Sequence, residues 1–332
     1  MTAPTFRPEI RERVQFGVQS AAQTPVAANL QFHSLKFDAD PKKPSTKVMQ
    51  AGNMFQVNAA PGKGHTEISA KGEVSIPDLI YLLATQLCIP VFAATGALAN
   101  TATFAPLSQS ANAKKALTLE KGLPGSGNAK QTPDVSCVDL ELDFAYDKPV
   151  MVSAKMMGRN RLADQTLTAT PTTLAGAVLW GTRIDVYLAT SEAGLSGGLL
   201  YPLSTKCKLS KFLGDVYTLG SANPSFEAMV DVAPSPDVEL VLPNDTAADA
   251  FVDSIDSATQ YYIEIIARGA LIEGSLYNQL RIRTPIFFAD PGEGSSQDIH
   301  TVTIKGNISH TEDFNTTGGA LLIECQSTLA GL

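Results

Sequence analysis

Strict alternation of apolar and acidic residues over one short segment limits the fold of this chain more than any other feature. Between Val138 and Phe144 every second residue is apolar, and the residues between them are Asp139, Glu141 and Asp143. A repeat of two residues predicts a β-strand with one buried face and one solvent-facing face.

A second alternating run, Val150–Met156, follows the turn residues Asp147 and Lys148, so the two runs predict a β-hairpin. Runs of the same kind recur along the chain. The further predicted strands are Ile68–Val74, Leu117–Glu120, Arg183–Ala189, Phe226–Val232, Val238–Leu242, Tyr261–Arg268, Leu280–Arg283, Val302–Ile308 and Leu321–Gln326. The chain is therefore predicted to be mainly β, an α+β protein in which few helices accompany the strands.

Two segments predict α-helices, each directly after a predicted strand. In the first, Ser75 is the predicted N-cap, Pro77 lies in the first turn, and the apolar run as far as Leu87 predicts a buried helix. In the second, Pro243–Asp245 caps the segment Thr246–Ile255, whose apolar residues recur at helical spacing.

The order of strand, capped helix and further strands occurs twice, which predicts an internal duplication of architecture. In this comparison Leu117–Glu120 corresponds to Leu280–Arg283, and Val138–Phe144 corresponds to Val302–Ile308. Because residue identity between the halves is slight, the duplication concerns the order of elements and not the sequence itself.

The predicted boundary lies at Leu162–Thr173, where Thr, Pro and Ala are concentrated. It gives an N-terminal domain, residues 1–165 with an arm at Thr2–Asn29 that orders against a neighbour, and a C-terminal domain, residues 166–332. The first domain carries 17 Lys/Arg and 14 Asp/Glu, a net charge of +3, and the second carries 8 and 19, a net charge of −11. Neither has the clustered Lys/Arg stripe that grips phosphates, so nucleic-acid binding is not expected.

The spacing of the cysteines and the composition of the N-terminal stretch indicate the cellular compartment in which the protein is made. The four cysteines are widely spaced and include no CxxC pair, which predicts reduced, mostly buried thiols in a protein made in a cytoplasm. The N-terminal stretch carries three arginines and no apolar core, so no signal peptide is expected. The longest apolar stretch, Leu79–Ala94, is interrupted by Pro90 and is too short to span a membrane.

The residue patterns of catalytic sites are missing from the sequence. The histidines lie apart from one another in the chain, at His33, His65, His300 and His310. No Gly-x-Ser-x-Gly motif occurs, so the chain is predicted not to be an enzyme, with no catalytic residue and no cofactor. The glycine-rich segment Lys121–Pro133 lacks both the GxxxxGK[ST] pattern and a following helix, which favours an exposed loop over a phosphate site.

Carboxylates occur in two groups that could bind a hard cation. Asp38 and Asp40 precede a proline and are interpreted as turn residues. Asp139, Glu141 and Asp143 fit the solvent-facing side of a strand more simply than a metal site, so no metal is predicted.

Four stretches within residues 10–165 carry a family resemblance. They are Arg13–Ala28, Lys71–Leu83, Thr101–Leu107 with Leu117–Gly122, and Val138–Phe144 with Val152–Arg159. In this order they resemble the opening arm, the strand-to-helix step, the central strands and the hairpin of phage tail tube proteins. These are the major tail proteins of phages with long, non-contractile tails (siphophages), and the resemblance is weaker after residue 165.

The resemblance implies tandem tail tube domains, each a β-sandwich or barrel-like domain with one flanking α-helix. In such proteins neighbouring subunits join their sheets into an inner barrel, and rings stack into a hollow tube through which phage DNA passes into the host. Two tandem domains imply trimeric, pseudo-hexameric rings. Asp139, Glu141 and Asp143 are then candidates for the lumen-facing surface.

The resemblance also implies a location and partners. It places the protein in the virion tail, assembled in the bacterial host cytoplasm. The implied partners are further copies of the chain, a tape-measure protein, a tail terminator and tail-tip or baseplate proteins. DNA would pass through the lumen without specific binding, and no membrane is involved.

Two other classes stay open. A tail terminator, a baseplate hub or a capsid decoration protein would share the strand-rich, site-poor sequence but would form a single ring. A carbohydrate-binding or hydrolytic β-protein would need exposed aromatic residues or paired acids in a cleft, whereas the one tryptophan, Trp180, lies in an apolar run.

Overall fold

A computed structural model confirms that the chain is mainly β. It describes residues 12–20, 24–42, 45–48, 58–61, 64–107, 112–124, 127–159, 162–210, 237–244, 252, 259–296, 299–309, 311, 314 and 319–332. Every predicted strand within these residues is observed as a strand or as part of one. The predicted strand Phe226–Val232 and the predicted helix Thr246–Ile255, apart from Val252, lie outside the described residues.

The elements fall into two units. The first unit comprises β1 (Arg13–Gln19), β2 (Leu30–Gln31), β3 (Leu35–Lys42), β4 (Ser45–Val48), β5 (Asn58–Pro61), β6 (His65–Glu73), α1 (Ile76–Gln86), β7 (Val91–Ala94), β8 (Asn100–Phe104), β9 (Ala116–Gly122), β10 (Ala129–Ala145), β11 (Met151–Gly158) and β12 (Leu162–Gln165). After β13 (Thr172–Thr173), the second unit comprises β14 (Ile184–Ala189), β15 (Leu199–Leu200), β16 (Ser204–Leu209), β17 (Asp237–Pro243), β18 (Gln260–Glu273), β19 (Leu276–Ser296), β20 (Ile299–Ile308) and β21 (Leu322–Ser327). Short 3₁₀ turns lie at Gly181–Arg183 and Glu192–Gly197.

Antiparallel pairings of the first unit recur in the second. β1 pairs with β2 and β9, as β14 pairs with β15 and β18. β6 pairs with β3 and β11, as β17 pairs with β16 and β20. β10 pairs with β9, β11 and β12, as β19 pairs with β18, β20 and β21. The duplication is present, but both predicted correspondences are wrong. Leu280–Arg283 lies in β19, the counterpart of β10 and not of β9, and Val302–Ile308 lies in β20, the counterpart of β11 and not of β10.

Two further pairings join the two units: β8 pairs with β21, and the C-terminal part of β10 pairs with β16. Residues 140–145 of β10 pair with residues 209–204 of β16, antiparallel. The result is an eight-stranded antiparallel sheet, here called the long sheet, in the order β3–β6–β11–β10–β16–β17–β20–β19. The predicted boundary after residue 165 falls between β12 and β13, and strands on either side of it share this sheet.

β10 and β19 each begin in a second layer and then enter the long sheet. The first cover sheet has the order β12–β10–β9–β1–β2–β13, and the second has the order β15–β14–β18–β19–β21–β8–β7. In β10 the crossing lies near Asp134, where φ is +52° and the register with β9 shifts. The buried Asp134 carboxylate pairs with the Arg159 guanidinium. A bulge of this kind bends a strand and lets it serve two sheets.

The helix α1 is buried along its whole length, as the largely apolar run that ends at Leu87 predicts. Ser75 is its N-cap, and the Ser75 hydroxyl accepts the backbone N–H of Asp78 at 3.4 Å. The helix contacts β8 and β10 of the first unit and β19 and β21 of the second. Buried apolar side chains of both units therefore pack around it as a continuous core.

Three sequence interpretations need correction. Residues 13–19 of the predicted N-terminal arm form β1, which pairs with β9 along its full length. The end of the predicted loop Lys121–Pro133 lies in β10, which begins at Ala129. Asp38 and Asp40 lie within β3 and not in a turn. A proline at residue 41 does not prevent this, because β3 is an end strand of the long sheet and needs fewer ladder hydrogen bonds.

Candidate assembly surface

The long sheet buries one face against the core and presents the other, here called the open face, to the outside. On β10 the side chains of Leu140 and Leu142 are buried. Asp139, Glu141 and Asp143 point to the opposite side and are partly exposed. The three acids singled out in the sequence therefore share the open face at the centre of the long sheet.

Lysines on the neighbouring strands oppose these acids. The directly opposite pairs are Asp139 and Lys155, Glu141 and Lys208, and Asp143 and Lys206. The Lys155 Nζ lies 4.0 Å from Asp139 Oδ2. The alternation continues across the second unit, where Glu239 lies between Lys206 and Lys305. Opposite charges across strands stabilise a sheet modestly, and here they give the open face both signs of charge and not an acidic stripe.

The two end strands of the long sheet have edges that no strand covers within the described residues. One edge of β3 pairs with β6, and its other edge has no described partner. β19 pairs with β18 as far as Phe287. Beyond Phe287, residues 289–296 pair with β20 on one edge, and no strand within the described residues pairs with their other edge. Residues 291–295 are exposed. Uncovered edges carry backbone N–H and C=O groups that another chain can pair with.

Side chains do not fill all the space next to the end strand β3. A cavity of about 250 Å³ lies there between the long sheet and the first cover sheet. Phe37 and Ala39 of β3, Ile68 of β6 and Leu119 of β9 contribute its apolar lining. Within the described part of the chain, the edge therefore combines backbone that has no strand partner with apolar side chains.

The start of β3 is fixed by a buried carboxylate at the N-terminus of α1. Asp78, 1% exposed, accepts the backbone N–H groups of His33 and Ser34 and the Ser34 hydroxyl. Burial raises the pKa of Asp78, and the N–H donors of His33 and Ser34 oppose that shift. A helix N-terminus favours a carboxylate at this place, so Asp78 joins α1 to the end strand.

A buried amide fastens the pairing of β10 with β16. The Gln86 Nε2 donates to the carbonyl oxygen of Leu209 at 2.8 Å and lies 3.2 Å from that of Val138. Gln86 is fully buried in the last turn of α1. One side chain therefore holds the helix against both strands where the two units meet.

Aromatic side chains are exposed near one end of the same joint. Tyr146 and Tyr201 are 68% and 77% exposed and line a groove of about 460 Å³. Trp180 is half exposed, although it lies in an apolar run of the sequence. The residues that line the groove include no Asp or Glu, so it lacks the paired acids of a hydrolytic cleft.

The remaining sequence candidates are dispersed. Among the described residues, no group of three or more His, Cys, Asp or Glu could hold a metal ion. His65 Nε2 lies 3.4 Å from Glu67 Oε1, and His310 is outside the described residues. All four cysteines are free and buried. No helix in the described part of the chain has the length and apolar character needed to cross a membrane.

The strands that form the uncovered edges were harder to find from the sequence. For β3 a signal exists, because Leu35, Phe37 and Ala39 alternate with charged residues, but the proline at residue 41 favours a turn. For residues 289–296 of β19, which include Pro291, Gly292 and Gly294, the sequence carries no strand signal.

Comparison of the chain with protein-family models gives no match, and comparison with curated proteins gives none either.

Proposed function

We propose that this chain is the subunit of a hollow tube built from stacked rings, the major tail tube protein of a phage with a long, non-contractile tail. One observation carries the proposal. The pairing of β10 with β16 places two copies of one architectural unit side by side in a single sheet, and both end strands of that sheet have an edge that no strand covers within the described residues. A unit that already joins a copy of itself within one chain is suited to continue the same sheet between chains.

The resemblance in residues 10–165 is the basis for proposing a tube of stacked rings. The duplication is the basis for proposing the number of chains in each ring. A ring of six units would be closed by three chains, each contributing two. We therefore propose trimeric, pseudo-hexameric rings in the virion tail. The same resemblance makes a tape-measure protein, a tail terminator and tail-tip proteins the proposed partners.

The charges of the open face support a role as a passage for DNA. A surface that binds DNA needs lysines and arginines that neutralise phosphates. Here Lys155, Lys206, Lys208 and Lys305 each lie opposite a carboxylate on a neighbouring strand. If this face lines the lumen, DNA meets pairs of opposite charge at these four lysines, whereas Lys36 and Lys71 oppose each other near the β3 end of the sheet. We expect DNA to slide past the paired charges without a fixed binding site.

Negative-stain electron microscopy of the purified chain at rising concentration tests the proposal. Hollow tubes with a regular axial repeat and threefold subunit symmetry are the expected result. Tubes with six chains per ring would contradict the trimer and leave the tube. A single closed ring would favour a terminator or another ring-forming virion protein, and persistent monomers at all concentrations would count against self-assembly.

A further inference from the structure

We propose that β3 of one chain pairs antiparallel with residues 289–296 of β19 in the next chain, so that the joint between chains repeats the joint within one. The inference deepens the proposed function by naming the two edges that meet. It also makes a separate claim, because head-to-tail pairing of these edges does not require that tubes form.

The internal joint is the template for this contact. The C-terminal half of β10 lies between β11 on one edge and β16 on the other. Its counterpart in the second unit, the C-terminal half of β19, has β20 on the corresponding edge, and its other edge is uncovered within the described residues. The counterpart of β16 is β3, whose uncovered edge corresponds to the edge of β16 that β10 occupies.

Strand direction agrees with the template. Neighbouring strands of the long sheet alternate in direction from β3 to β19, and their number is even. β19 therefore runs opposite to β3. A second chain placed beyond β19 in the same orientation presents its β3 in antiparallel direction, as in every pair within the sheet.

Charge disfavours one way in which two β3 strands could pair, the register centred on Ala39. On the open face β3 carries Lys36, Asp38, Asp40 and Lys42, arranged symmetrically about Ala39. Two β3 strands paired antiparallel about Ala39 would place lysine opposite lysine and aspartate opposite aspartate, which is unfavourable.

The β19 edge has no such conflict with β3. Among its exposed residues 291–295 are Gly292, Gly294 and Ser295, which are small and uncharged, and Glu293 is the sole charged residue of these five. This stretch therefore places no lysine against the lysines of β3.

The cavity beside β3 gives the contact a second component. Its lining is mixed, with Phe37 and Ala39 of β3 among its apolar residues and Glu12, Lys121 and Lys130 among its charged ones. Phe37 and Ala39 line it from the end strand itself, the strand that the proposed neighbouring chain would contact. Covering these two side chains removes apolar surface from water, which favours association. Backbone pairing and apolar burial would thus act at the same edge.

Cysteine cross-linking tests the two edges. Asp38 is exposed on the open face of β3, and Gly292 and Gly294 on β19 have room for a side chain. Asp38→Cys is combined in turn with Ala289→Cys, Gly292→Cys and Gly294→Cys, which samples the register. Because residues 38 and 292 lie at opposite ends of the long sheet, a disulfide between them has to join two chains.

In the matched control, Lys155→Cys replaces Asp38→Cys, which moves the cysteine from the end strand β3 to the inner strand β11. Lys155 lies in register with Asp38 through Ser69 of β6, two strands from the edge, which is about 10 Å at the usual strand spacing. That separation exceeds the reach of a disulfide. The native cysteines are buried, and thiol titration of the parent protein checks that they stay unreactive.

The chains are oxidised with copper–phenanthroline and separated on a non-reducing gel. For at least one Asp38→Cys combination we expect a shift from the 35.1 kDa monomer to dimers and trimers. The same combinations with Lys155→Cys should stay monomeric. Equal cross-linking of the Lys155→Cys series overturns the proposal. So do dimers from Asp38→Cys alone, which would mean that β3 pairs with itself.

Microscopy of the same samples separates this proposal from the proposed function. Cross-linked chains without tubes support the joint and contradict the tube. Tubes without any cross-link support the tube and overturn the joint. Monomers without cross-links overturn both.

Discussion

The carboxylate of Asp78 accepts the backbone N–H of His33, with 3.0 Å between Asp78 Oδ1 and the His33 nitrogen. This contact ties the first turn of α1 to the residues that lead into β3. Replacing Asp78 by Asn keeps the shape but turns one acceptor into a donor that faces other donors. We expect Asp78→Asn to lower the free energy of unfolding by about 1–3 kcal/mol, measured by urea denaturation. Asp38→Asn on the exposed open face is the control and should change it by less than about 0.5 kcal/mol.

The pH dependence of the same variant is a second expectation. Burial raises the pKa of Asp78 in the folded chain above its ordinary value of 3.8, with the His33 and Ser34 donors opposing it. Protonated Asp78 therefore makes its full contribution to the free energy of unfolding at a pH below 3.8. That contribution is lost as the pH rises through the raised pKa of the folded state. The difference in unfolding free energy between the wild type and Asp78→Asn should decrease as pH rises from about 4. A difference that grows with pH would mean that the folded state lowers this pKa.

Gln86 fastens the two units to each other, so its loss should weaken the whole molecule. Gln86→Met fills similar space and removes the amide that serves the carbonyls of Val138 and Leu209. We expect a loss of about 1–3 kcal/mol, since buried acceptors are left unsatisfied. Gln326→Met, which removes an exposed bond to Thr95, is the comparison and should have little effect. Equal losses in both variants would show that the buried amide has no special role in the joint.

Reversing the charge of Asp139, Glu141 and Asp143 should turn the open face into a DNA-binding surface. The triple lysine variant removes the acids that oppose Lys155, Lys206 and Lys208 and leaves an unbalanced basic patch. Fluorescence anisotropy with duplex DNA should then detect binding that weakens with salt, with a log–log slope of roughly −0.9 for each phosphate contacted. The neutral variant with Asn, Gln and Asn should bind far less. Tight binding by the wild type would contradict the idea of a non-adhesive face.

The thiols should be inert in the folded chain. Burial raises the pKa of Cys207 to about 12 and also raises the pKa of Cys137 and Cys325. Because the thiolate is the reactive form, we expect negligible reaction with Ellman's reagent at pH 8 until denaturant unfolds the chain. The free thiol count should then reach the four cysteines of the sequence. Rapid reaction of a native thiol would point to local opening around that cysteine.

The sequence predicts what is local in this fold. The hairpin of β10 and β11 and the capped helix α1 follow from alternation and from Ser75, because both signals lie within a few residues of the structure they specify. β3 was missed because the aspartates and proline of residues 38–41 also fit a turn. The length of β19 was missed because Pro285 and Pro291 interrupt its pattern.

The candidate surface could be predicted in part. That Asp139, Glu141 and Asp143 share a face follows from their spacing. The lysines that oppose two of them lie more than sixty residues away in β16, and no local pattern specifies that pairing. The uncovered edges depend on which strands end the sheet, a property of the whole chain that single segments do not encode.

The joint between β10 and β16 bears on how assembly depends on protein concentration. Covalent linkage holds the two units together at a high effective concentration, so their contact forms as the chain folds. In a ring closed through β3 and β19, every second joint would already exist in each monomer. Only the alternate joints would carry the loss of translational and rotational freedom that association demands. Such a ring should appear at lower protein concentration than one made from the same units supplied as separate chains.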